Sequence, residues 1–428
     1  VEDRMYSIAD VITTGFALFA MLFGAGNLIF PPMLGYDLGS NWQAAAFGFV
    51  LTGVGIPLMA ILASGNAGEK LDDFSNKVSP IFAKFYSIIV ILAIGPLLAI
   101  PRTGATAYEV TFFHAGFTTS TMKYVYLVIY FGLSLSFSLK SSAAVDRIGK
   151  ILTPILIVVL IIILVKGSFF NPNQVVEKVY ELPFKKGFVE GYQTLDAMAG
   201  VVFASVILKA VRGGRDLTKK QETAFFMKAS FIAAIGLAIV YLGLTYIGAT
   251  FGHIDLVAGA EKTDLLVKTA TLLLGKVGYI ILAICVAGAC LTTAIGLIVT
   301  VGEYFSETFN WSYQKVVIVT TVISFLFAIF GVNQIVKVSV PLLVLTYPLT
   351  IVLILLNFFR VKNANIYKGT VLVAGLVGLY EALPIVGITL PEIFTTIYNA
   401  MPLSNLGLTW VVPVVVVGII CNFIKSKN

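Results

Sequence analysis

Charge is what this sequence has least of. Only 12% of its 428 residues are Asp, Glu, Lys or Arg, against 58% hydrophobic, where soluble domains carry roughly a quarter charged residues. A water-facing surface cannot be built from so little, and a mean hydropathy of +0.95 marks a chain whose solvent is the lipid bilayer. Cysteine is nearly absent too. Cys285, Cys290 and Cys421 are the three, all inside apolar runs, with no CxxC or Cys/His spacing; they read as small core residues rather than a disulfide framework. The only histidines, His114 and His253, fall near helix ends and leave little for a histidine proton relay or a metal site. HExxH, GxGD and DDxxD are all missing, which argues against a membrane-embedded enzyme, and there is no charged ring or filter of the kind a channel needs. The net charge of +7 calls for no nucleic acid, because loop lysines and arginines also set membrane orientation.

What is present is a series of long uncharged runs: Val11–Tyr36, Leu38–Gly68, Ala229–Ile254, Val277–Gly302, Val316–Val336, Val338–Phe359 and Ile393–Ile424. A spanning helix takes about 20 such residues, whereas barrel strands alternate in polarity over about ten, so the chain is all-α. The first run is too long to be a cleaved signal peptide; residue one is Val, so a start segment is expected to have been trimmed. The pattern predicts twelve helices near 11–34, 42–64, 79–113, 121–139, 150–166, 188–210, 222–251, 277–304, 313–331, 334–358, 366–388 and 406–424. With both termini cytoplasmic, nineteen of the 29 lysines and arginines fall in inner segments and nine in outer ones, leaving Arg102 within a span, as the positive-inside rule asks. The outer segment 252–276 contains DLLVKTATLLL, Asp264–Leu274, whose spacing suits a short helix over the outer face, as a connector or a gate.

Four motifs carry candidate chemistry. In the first span, FGAGNLIFPP (Phe23–Pro32) puts two glycines, Asn27 and a proline pair inside hydrocarbon. Broken backbone at that depth persists only where protein or a cavity satisfies it, so the segment is either a binding site for a zwitterion and a cation or a close-packed, kinked helix surface. The sixth span carries Asp196 with no Lys or Arg beside it, and intramembrane carboxylates are functional by default. GAGNLIF (Gly24–Phe30) aligns with AMAGVVF (Ala197–Phe203), at the places where inverted-repeat transporters interrupt their helices. In the third span Arg102 and Glu109 stand seven residues apart on one helix face, forming a charge network or placing Arg102 beside a substrate path. In the eighth, Ala289, Thr292 and Thr293 share a face and offer a carbonyl and two hydroxyls to a small cation, unless the threonines only bond back to their own helix.

FGAGNLIFPP, GPLLAIPRT with its following YE, TLDAMA and CLTTAIG occur in this order, and with them nearly the whole chain resembles the branched-chain amino acid:cation symporter family of bacteria, within the amino acid-polyamine-organocation transporters. The resemblance implies a LeuT-type fold: a five-plus-five inverted repeat, 11–166 and 188–358, with two further helices over 366–424, the first and sixth helices broken, all in one transporter domain. It implies sodium symport of leucine, isoleucine and valine across the cytoplasmic membrane by alternating access, with sodium as coupling ion and no cofactor. By the same resemblance Ala25 and Gly26 meet the substrate carboxylate through their backbone, while the carbonyls of Ala20 and Phe23, with Ala289, Thr292 and Thr293, hold sodium. Asn27 and Thr194 match positions around a second sodium in some relatives. Asp196 stands where those relatives have a neutral residue, and takes the substrate ammonium, an ion or, in the runner-up reading, a coupled proton.

Overall fold

The computed structural model describes residues 6–68, 70–139, 143–169, 174–212, 218–253 and 261–424. Among these every regular element is helical: α1 (Ile8–Leu22), α2 (Ala25–Leu38), α3 (Trp42–Val50), α4 (Ile56–Ala67), α5 (Pro80–Leu92), α6 (Ala99–Tyr108), α7 (Ser120–Leu139), α8 (Ala143–Phe169), α9 (Pro183–Glu190), α10 (Asp196–Arg212), α11 (Lys219–Thr250), α12 (Lys262–Phe309), α13 (Tyr313–Ala328), α14 (Val332–Phe358), α15 (Ala364–Ala382), α16 (Glu392–Ala400) and α17 (Val411–Phe423). Seven helical stretches are long and apolar enough to cross a bilayer, and shorter apolar helices such as Tyr313–Ala328 and Val411–Phe423 accompany them. The short helix expected within 264–274 exists as the first part of α12, set off from the rest by a bend at Gly275 with φ +72°. Several of the inner charges, Arg215 and Lys427 among them, lie outside the described residues.

Helix ends follow local chemistry. Ser7 caps α1 through a reciprocal bond pair with Asp10, Thr218 caps α11 in the same way with Gln221, and Ser79 precedes Pro80 at the start of α5, each supplying acceptors to otherwise unpaired amides. The third predicted span is interrupted between α5 and α6 at Gly95–Pro96, where Gly95 leaves helical geometry; proline removes a backbone donor and glycine tolerates the result.

Packing is arranged in matched pairs. α1 and α2 lie along α11, while α9 lies on α3 and α10 on α4. Two of these seams are backbone to backbone. A Cβ on Gly35 would fall 1.8 Å from the Thr245 carbonyl oxygen and one on Gly248 would fall 1.9 Å from that of Pro32, joining α2 to α11; a Cβ on Gly187 would fall 1.8 Å from the Ala45 oxygen, joining α9 to α3. Small residues let helices approach this closely in lipid, where dispersion and weak polar contacts replace the hydrophobic effect.

Candidate functional site

Both helices expected to be broken are broken, and the breaks face each other. The first falls at Phe23 and Gly24, which are extended (φ −94°, ψ 98° and φ −115°, ψ −171°). The second winds through a tight 3-10 turn, Gly191–Thr194, and a left-handed Leu195 (φ 64°) before α10 begins at Asp196. Asn27 spans the gap. Its Nδ2 donates to the Leu22 carbonyl at 2.9 Å, to Asp196 Oδ2 at 2.8 Å and toward the Tyr241 hydroxyl on α11. Three oxygens from three elements therefore converge on one amide nitrogen, and the Tyr241 hydroxyl among them can donate as well as accept. Thr194 completes the turn, accepting from the Asp196 amide at 3.3 Å and donating to the Gly191 carbonyl at 3.0 Å.

Arg102, on α6, reaches the same region. Its Nη1 donates to the Gln193 carbonyl in the second break at 2.5 Å, its guanidinium lies 5.5 Å from the centre of the Phe30 ring, and its Nη2 is 3.0 Å from where a Gly26 Cβ would be. Gln193 is fixed in turn by Ser339 Oγ, which donates to its Oε1 at 2.9 Å. Arg102 and Asp196 are each only 6% exposed and Asn27 1%, yet no ion pair joins Arg102 to a carboxylate among the described residues. The charge network expected between Arg102 and Glu109 does not form. Glu109 instead accepts from the Thr263 hydroxyl at 2.9 Å and the Val332 amide at 2.9 Å.

The remaining candidates lie on two elements. Ala20 and Phe23 are at the end of α1, where Phe23 stacks on Phe19 at 5.2 Å. Ala289, Thr292 and Thr293 are on α12, where Thr292 Oγ1 donates to the Ala289 carbonyl at 3.0 Å, the back-bonded geometry foreseen for threonine, which leaves lone pairs on both oxygens. α1 packs on α10 and α11 whereas α12 packs mainly on α2, α6, α7, α8 and α13, so the two halves of this set are on elements that are not principal neighbours. Among the described residues no His/Cys/Asp/Glu cluster could hold a metal; a cation here would rely on carbonyls, hydroxyls and amides. Tyr241, Gln193 and Phe30 are the participants that sequence reasoning did not single out.

Comparison with known proteins gives the fold and the family. The chain aligns over 96% of its length with MhsT in complex with L-phenylalanine (TM-score 0.59, 18% identity, 98% of that chain). It also aligns over 96% of its length with the inward facing conformation of Mhp1 (TM-score 0.62, 13% identity, 90% of that chain). These likenesses show the fold, that of LeuT-type transporters. In sequence it is 38% identical to the branched-chain amino acid permease BraB of Bacillus subtilis, over 96% of this chain and 95% of that protein. To the branched-chain amino acid transport system 2 carrier protein of Pseudomonas aeruginosa it is 35% identical, over 98% of this chain and 97% of that one. Residues 7–428 match the family described as branched-chain amino acid transport protein. The chain is therefore a multi-pass membrane transport protein, not an enzyme, and belongs to the branched-chain amino acid transport protein family.

Proposed function

We propose that the protein imports leucine, isoleucine and valine across the bacterial cytoplasmic membrane by sodium symport, with both termini cytoplasmic and the two repeats, 11–166 and 188–358, alternating access to a site between their broken helices. The observation that carries the reading is Arg102: a buried guanidinium with no carboxylate in ion-pair range among the described residues, held against the bare backbone of Gly26. A charge at that depth is costly unless matched. The carboxylate of an α-amino acid supplies the match, lying between Arg102 and the free amides at the N-terminus of α2, where the helix dipole favours an anion. Asp196 on the facing break then receives the ammonium. The branched-chain amino acid carriers among its relatives support an aliphatic side chain, and because one methylene discriminates by only about 1–3 kcal/mol, the three substrates should compete. The matched packing of α1 and α2 on α11, and of α9 and α10 on α3 and α4, supports the repeat boundaries.

Sodium fits the oxygens of Ala20, Phe23, Ala289, Thr292 and Thr293. Binding there would draw α1 toward α12 and favour a state in which the first break is closed. Counterflow of radiolabelled leucine into proteoliposomes, with sodium and proton gradients imposed separately, tests the assignment: accumulation driven by sodium alone is the expected result, and accumulation driven by protons alone rejects sodium coupling. One observation favours proton coupling as a second reading. Asp196 is buried and its carboxyl group accepts from the neutral Asn27 amide, so a proton would serve it as well as an ammonium would. Asp196→Asn keeps the shape and removes the charge; under the leading reading leucine affinity falls at least about tenfold, the scale of a lost charge-assisted hydrogen bond, whereas preserved binding with lost pH dependence would favour the proton.

A further inference from the structure

The outer end of the molecule holds a segment bent at a hinge, whose apolar face (Leu265, Leu266, Val267, Ala270) is buried in the core and whose first turn is tied down by one buried carboxyl group. Residues 262–274 of α12 form a short helix that leaves the spanning part at Gly275, whose φ of +72° lies in the left-handed region and whose Cβ would meet nothing within 4 Å. A glycine in open space, in a conformation other residues resist, is a free pivot. At the far end of this helix Thr263 is fully buried and donates its hydroxyl to Glu109 Oε2 at 2.9 Å, while Glu109 Oε1 accepts the amide of Val332 at the start of α14 at 2.9 Å. The two oxygens of one side chain thus tie the pivoting helix to a fixed one. Lesser contacts surround this point: the Lys262 amide donates to Asn333 Oδ1 at 3.2 Å, and His114 Nε2 lies 3.1 Å from Asp264 Oδ1. At the hinge end, Lys166 Nζ donates to the Leu273 carbonyl at 3.3 Å.

The segment also reaches the site. Lys262 Nζ lies 5.9 Å from the centre of the Phe30 ring, the same ring that Arg102 covers at 5.5 Å. Glu109 follows directly on α6, the helix that carries Arg102. We infer that Glu109 is a positioning residue that latches 262–274 as an outer lid, its carboxylate coupling the lid to the helix that presents Arg102 and its release freeing the segment to swing about Gly275. The latch requires nothing about which substrate or ion is carried.

Hydrogen exchange of the full chain in lipid nanodiscs, without substrate, tests it. Thr263→Val keeps the shape, deletes the donor and leaves Glu109 Oε2 without that partner, so amide exchange over the first turn of 262–274 should rise about tenfold, the scale of one lost buried hydrogen bond, while α11 and the middle of α14 stay as in wild type. Thr263→Ser keeps the hydroxyl and should restore wild-type protection. Wild-type exchange over 262–274 in Thr263→Val, or a rise shared equally by all helices, overturns the latch, the second outcome marking a residue that only stabilises the fold.

Discussion

At Gly26 the lack of a side chain brings the Arg102 guanidinium and the Phe30 ring to the α2 backbone, since an added Cβ would already sit 3.0 Å from Arg102 Nη2 and 3.2 Å from the ring. Gly26→Ala should weaken leucine binding about tenfold, or about 1.4 kcal/mol, by pushing Arg102 aside, and Gly26→Leu should abolish it with thermal stability close to wild type. Scintillation proximity binding on purified protein reads both, and full affinity in the leucine variant would return this segment to a packing role. Gly26, Asn27, Arg102 and Asp196 were legible in the sequence because bareness or charge inside an apolar run is conspicuous. Tyr241, Phe30 and Gln193 were not: in a chain with 18 tyrosines and 32 phenylalanines, an aromatic in an apolar run carries no signal of its own. The Arg102–Glu109 pair, one of the alternatives the sequence left open, does not form for a geometric reason. Seven residues along a helix share a face but rise about 10.5 Å, and each side chain had a nearer partner sideways, Gln193 for Arg102 and Thr263 for Glu109.

Among the elements, the seam between α2 and α11 is the most demanding, because Gly35 and Gly248 place backbone directly on backbone. Gly248→Ala cannot be absorbed by turning a rotamer, since the atom in the way is the Pro32 carbonyl. It should destabilise by about 3 kcal/mol, the upper range for overpacking, and lower the melting temperature measured in detergent. Gly296→Ala on α12, where a Cβ meets nothing within 4 Å, is the control and should leave melting unchanged. Spanning stretches were readable from hydropathy because a bilayer demands long uncharged runs and charged ends. The broken helices were readable because Gly24 and its neighbours contradict the helix around them, whereas the left-handed Leu195 was hidden, since nothing about leucine announces that conformation. The partners of each helix were equally hidden, as periodicity tells which face is apolar but in lipid every face is.

For the molecule as a whole, the proposed cycle turns on an ion joining α1 and α12, which are not principal neighbours. Thr292→Val and Thr293→Val should each raise the sodium concentration for half-maximal uptake by about tenfold, with little change in leucine affinity at saturating sodium, because sodium and substrate bound to one broken helix must raise each other's affinity by the same factor. Sodium titration of uptake in proteoliposomes measures this; wild-type activation in both variants would remove the site. The matched packing of the two halves contrasts with their unlike breaks. Phe23 and Gly24 rest in extended backbone that any residue adopts, whereas Leu195, buried as Phe23 is, stands in a region unfavourable for an L residue by roughly 1–2 kcal/mol. A symmetric frame with one loose joint and one stiff joint works unequally in its two directions. The α1 side should swing more readily than the α10 side, so right-side-out and inside-out vesicles should show different half-saturation for leucine. Under the proposed coupling the gradients would set which way the net flow goes, and the backbone at the two breaks would set the pace on each face.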